Sequence, residues 1–212
     1  MRQNEQIGRV LRASTMGFAV GCRVAQLQIP GFGGLVKAQP IDSREAVYGL
    51  IYQINVDDDP VVQRLVLAED PPASVVEDQR QNRLRPIEMA VLAVGYRRNG
   101  FVRHGLPPRP PLNLDPVELC VGEEEVRQFT DTLGYMRLIL GAAASGIPTT
   151  QLLAAHIINV YELRGRDTEW AMKVIQEVIE QLRSNYDILI PTLEALSDAL
   201  PDLQIATDPL LF

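Results

Sequence analysis

Between Ile7 and Asn55 the chain is written in short β-prone runs, apolar near every second position and cut at close intervals by glycine and proline. Each run has one face to bury and a sharp turn to make, and a small closed barrel satisfies both demands. Ile7 to Ser14 reads as a first strand anchored by Ile7, Val10 and Leu11, and Met16 to Val24 as a second, alternating through Phe18, Val20 and Cys22. The run Pro30-Gly-Phe-Gly-Gly34 is a turn or bulge; it opens no helix and carries no lysine, so it lacks the parts of a phosphate cradle. Leu35 to Gln39 is a third strand and Ala46 to Val56 a fourth, in which Gly49 marks a bulge where the barrel bends.

Asp57-Asp58-Asp59-Pro60 closes that strand; it lacks the alternate ligand spacing of a calcium loop and reads as a solvated turn. Val61 to Leu67 is expected as a short strand and Pro71 to Gln81 as a helical or irregular excursion. Ile87 to Tyr96 is a buried closing strand, turned back at Asn99-Gly100 through Phe101 to His104. Leu106 to Pro116 holds five prolines in eleven positions, a stiff extended arm that marks a boundary.

Charge divides at the same place. Residues 1 to 120 hold 14 Arg/Lys against 13 Asp/Glu, whereas residues 121 to 212 hold 6 against 14. Three glutamates, Glu123 to Glu125, stand at a helix start, where the dipole favours them. Val126, Phe129, Leu133 and Leu140 follow at helical spacing up to the break at Gly146-Ile-Pro148. A second helix begins at Thr149 or Thr150 and ends at Arg164-Gly165. A third opens at Asp167 or Thr168 and runs toward Pro191, and a short fourth covers Thr192 to Leu200. The fold class is therefore α+β: a closed barrel of about six strands over 1–105, an arm over 106–121, and a bundle of three or four helices over 122–212 with an apolar tail.

Within the barrel half, Ile7-Gly-Arg-Val-Leu-Arg-Ala13, Gly34-Leu-Val-Lys-Ala38, Val47-Tyr-Gly-Leu-Ile51 and Ile87-Glu-Met-Ala-Val-Leu-Ala93 occur in order, followed by a proline-rich exit into an acidic helix. In order and spacing, residues 5 to 125 resemble the HerA–ATP synthase barrel, the collar domain of ring-forming RecA-like ATPases. The resemblance implies a six-stranded barrel that packs against neighbouring copies and docks partner proteins. It does not bring the motor with it. Gly141-Ala-Ala-Ala-Ser-Gly146 keeps two P-loop glycines, but Ile147 stands where the lysine belongs and Pro148 where the hydroxyl belongs. Only 66 residues follow Gly146, too few for a RecA core, so a helix–turn–helix corner is the expectation.

No catalytic, cofactor or metal constellation is legible. Cys22 and Cys120 read as reduced structural thiols, and His156 has Leu152 and Val160, not ligands, at helical spacing. The expected function is a non-catalytic oligomerisation or adaptor module, a homo-oligomer with a RecA-like ATPase or nuclease as a further partner. No run is long enough to span a membrane, and a cytoplasmic location is expected. The alternative is a nucleic-acid-binding barrel using Arg80, Arg83, Arg85, Arg97, Arg98, Arg103 and Arg109, although an acidic chain needs such charges gathered on one face. Trp170 and the terminal Phe212 are further candidate contact residues.

Overall fold

A computed structural model of the chain describes residues 5–22, 30–40, 45–56, 60–81 and 87–203. Among these residues seven strands form one antiparallel sheet: β1 (Glu5–Ser14), β2 (Gly17–Cys22), β3 (Leu35–Ala38), β4 (Ala46–Asn55), β5 (Ile87–Arg98), β6 (Phe101–Arg103) and β7 (Pro116–Leu119). They lie in the order β2-β1-β7-β3-β4-β5-β6, and β5 also pairs with β2, from Ile87 opposite Cys22 to Leu92 opposite Gly17. That pairing closes six strands into a barrel. Beyond Leu92, β5 parts from β2 and takes β6 as its neighbour through the Asn99-Gly100 turn, whose φ angles of 53° and 83° suit the twist of a tight hairpin.

The barrel does not end at residue 105. Pro116–Leu119, expected in the arm, lies between β1 and β3 and supplies the sixth stave, with Val117 fully buried. Pro116 is its first residue, the strand position at which a missing N–H is tolerated. The proline segment before it therefore returns the chain to the barrel; it does not lead away.

Strand irregularities fall where the barrel has to bend. β1 slips register at Ile7 and again at Leu11, so Ile7 and Val10, three apart, both point inward while Leu11 lies outside over Gly21. Leu11 is thus no core anchor. Tyr48 pairs with Gly95 and Gly49 with Ala93, so the expected bulge is there, its extra residue being Val94 on β5.

Between β4 and β5 stand two short helices, α1 (Pro60–Val66) and α2 (Ala73–Gln81). The strand expected over Val61 to Leu67 is a helix instead: Pro60 sits at its first position, where its ring preorganises φ and its missing donor is not needed. The Asp57 to Asp59 turn lies outside the described residues.

The remaining helices are α3 (Glu123–Thr130), α4 (Met136–Gly141), α5 (Thr149–Leu163), α6 (Thr168–Leu182) and α7 (Tyr186–Ala199). The first expected helix is split in two. Thr130 turns its hydroxyl back to the Val126 carbonyl at 2.7 Å, and Asp131, Thr132 and Gly134, three poor helix formers in four positions, follow it. The third stops at Leu182, ahead of Arg183-Ser-Asn, and Pro191 lies inside α7. A 3-10 turn, Ala142–Ser145, then Gly146 and Pro148 make the corner between α4 and α5, where Ile147 is buried.

Two apolar cores result. One fills the barrel with Ile7, Val10, Phe18, Val36, Met89 and Val117. The other joins Tyr48, Leu50, Leu92 and Val94, on the outside of the barrel wall, to the buried faces of α3 to α7. The helices are thus a layer laid directly on the β3-β4-β5 wall.

Candidate interaction surface

The helical layer is fastened to the barrel by a polar cluster. Glu125, in the first turn of α3, accepts from Lys37 Nζ at 3.0 Å on each oxygen and from the Tyr48 hydroxyl at 2.8 Å. Glu118 of β7 stands 3.3 Å from the same ammonium, and Arg97 lies 3.6 Å from Glu125. Burial, and then the Glu125 charge, raise the Tyr48 phenol far above its ordinary range. Burial likewise pushes the Cys120 thiol up, so neither group is a nucleophile near neutral pH. Each charge in the cluster faces an opposite one; the arrangement is a weld.

A second network holds the helices to one another. Arg164, at the end of α5, reaches Asp131 at 2.9 Å and Asp167 at 3.1 Å, donates to Thr130, and lies 5.1 Å over the Trp170 ring. Asp167 caps α6 by accepting from the Trp170 backbone, and that bond, followed by its arginine partners, holds its carboxyl below the usual range. Trp170 is buried and donates its indole N–H to the Thr130 carbonyl at 2.9 Å. It is a core residue, not a contact for another molecule.

The arginines have separate fates. Arg97 is turned inward to Glu125 and Gln39. Arg98 is exposed and paired with Glu45 at 3.0 Å; Arg103 and Arg109 are exposed. Arg80 lies on α2, with its side chain outside the description, and Arg83, Arg85 and Phe212 lie outside the described residues. The β5-β6 register sets Arg98 opposite Phe101 and Tyr96 opposite Arg103, so all four share one hairpin face, with Phe101 70% exposed between the two arginines. Phe101 is a candidate contact residue that composition and motif do not single out, although the Asn99-Gly100 turn fixes its register.

The other outward feature is apolar. No residue of α1 is buried, and Val66 and Leu67 are 77% and 84% exposed at the end of α1, in an excursion that also carries Val61 and Val75. A cleft of about 360 Å³ opens between the β1-β2 hairpin and the 3-10 turn, with Phe18, Val91 and Ile147 in its wall. Ser14 and Ser145 also line it, but neither a histidine nor a thiol stands among its described lining residues to activate them. Among the described residues no group of three His, Cys, Asp or Glu side chains is placed to hold a metal ion, and no helix is long and apolar enough to cross a membrane.

Compared with known proteins, the chain matches no family model and no curated protein.

Proposed function

We propose that this chain is a non-catalytic assembly module: a collar barrel of the HerA–ATP synthase type that self-associates and presents its helical layer to a protein partner. The observation that carries the reading is the α1-α2 excursion, two short helices with aliphatic side chains turned to solvent. Helices of seven and nine residues gain little from propensity alone and are stabilised by burying an apolar face. Exposed aliphatics gathered on such elements mark contact surfaces. The four segments that carry the resemblance also fall on staves of the closed barrel, β1, β3, β4 and β5. A separately encoded RecA-like ATPase or nuclease is the partner class the resemblance implies.

The test is sedimentation velocity of the full chain beside Val66→Glu and Leu67→Glu. Both positions are solvent-facing, so the variants keep the fold, and association is expected to weaken at least tenfold. Association unchanged in both variants contradicts this use of the excursion.

A second reading has its own observation, the exposed Phe101 between Arg98 and Arg103, a small stacking platform beside cations. On that reading a single-stranded oligonucleotide binds with a steep salt dependence and Phe101→Ala weakens it about tenfold or more. Lack of binding at low salt ends it.

A further inference from the structure

The chain has two histidines, and both lie in one aromatic stack at the seam between barrel and helices. The His104 ring stands 4.9 Å from Phe129 and 5.2 Å from Tyr135, and Tyr135 in turn meets His156 edge-on at 5.4 Å. On the barrel side, Tyr48 stacks on Phe129 at 4.8 Å. The Gly33 turn completes the seam. Its φ is +81°, and a Cβ there would stand 2.7 Å from Ala155 and from the His156 nitrogen, so the turn is pressed against α5.

Their partners fix the state of both rings. His156 is fully buried, with Nδ1 3.3 Å from the Gly33 carbonyl and Nε2 3.2 Å from the Tyr135 hydroxyl. A carbonyl can only accept, so Nδ1 carries the proton and Nε2 accepts from the phenol. By the same logic His104 donates from Nε2 to the Phe129 carbonyl at 2.9 Å, leaving Nδ1 to accept from Thr132 at 3.4 Å. Both imidazoles are held neutral, each tied to groups without charge.

We propose that His104 and His156 form an acid-sensed latch: neutral, they fasten the helical layer to the barrel, His156 at the Gly33 turn and His104 at the Phe129 carbonyl, and protonated, they loosen that seam. A proton on Nε2 of His156 makes it a donor facing a donor. The Tyr135 hydroxyl can turn and accept, but its own proton then loses its acceptor, and a cation is left in a dry site. The charges around the stack give no relief. From α4, Arg137 donates to the His104 carbonyl at 3.1 Å and disfavours a charged ring there; Arg164, at the end of α5, acts on Tyr135. The carboxylate reached through Tyr48 is Glu125 of α3, already bound by Lys37 of β3.

Burial pulls His156 down to about 4 and lowers His104 as well. An unfolded histidine takes its proton near 6.5, so this contribution is complete above about 6.5 and drains away as pH falls toward about 4.

The test follows both imidazoles by NMR in the full chain from neutral to acid, beside near-UV and far-UV circular dichroism. His156 is expected to stay neutral at pH 6, and both rings to take up protons in the same step that removes the near-UV signal, before the far-UV signal is lost. Tyr135→Phe removes the donor that favours neutral His156, and raises the pH of that step by roughly half to one unit. His156→Gln cannot titrate, and its acid step is shallower. If that variant does not fold, the wild-type titration and Tyr135→Phe decide alone. Rings that titrate near 6.5 with the near-UV signal intact overturn the latch, as does a near-UV loss while both rings are still neutral, or a His156 midpoint unmoved by Tyr135→Phe.

Discussion

Gly49 sits opposite the bulge in β5, and a Cβ there would press on the Val91 side chain and stand 2.7 Å from the Leu92 carbonyl. Backbone cannot step aside as a flexible side chain can, so Gly49→Val is expected to cost about 1–3 kcal/mol. The thermal midpoint then falls by roughly 5 °C in a chain of this size; an unchanged melt shows that the bulge tolerates a side chain. Trp170 is the opposite case, a large side chain with nowhere else to go. Trp170→Ala empties a packed site and strands the Thr130 carbonyl, at an expected cost of about 3–5 kcal/mol in denaturant unfolding. A loss below about 1 kcal/mol would place the ring at the surface, where the sequence alone allowed it to be. His156 shows how far single-residue reading goes: its apolar neighbours mark it as a core or edge histidine, but nothing nearby in the chain points to Gly33 or Tyr135.

At the scale of elements, what was legible followed from periodicity and turn chemistry. β1 to β5 and the Asn99-Gly100 hairpin were readable because alternation and glycine placement are local signals. β7 was not, because four residues opening with proline carry no period, and what makes them a strand is the gap between β1 and β3. α1 was misread because Val-Val-Gln-Arg-Leu-Val suits either period, with Pro60 the overlooked cue. The weld around Glu125 was equally hidden: Lys37, Tyr48, Glu118 and Glu125 come from four elements, and only the opening of α3 by glutamates could be seen in advance. Lys37→Met takes away the ammonium that Glu125 and Glu118 both face but leaves Glu125 its Tyr48 and Arg97 contacts, so the expected cost is about 1–3 kcal/mol. Lys37→Met combined with Glu125→Leu should cost less than the two changes added together. Additive losses in that double-mutant cycle would mean the two groups are not coupled.

Over the whole molecule, the second core decides how the parts relate. Because Tyr48, Leu50, Leu92 and Val94 look outward from the barrel and are covered by α3 to α7, barrel and helices share one core and are expected to melt together, and the arm is a return path between them. The barrel wall hidden under the helical layer is closed to other molecules. Any contact with another copy would have to use the rest of the surface, and there the α1-α2 excursion offers aliphatic side chains that neither core covers. On the proposed function, this surface joins copies of the chain. Light scattering of the purified full chain, followed from low to high micromolar concentration and repeated at high salt, tests it most directly. Apolar contacts predict a mass that is a whole multiple of the chain's and survives added salt; a monodisperse monomer at the highest concentration contradicts the account.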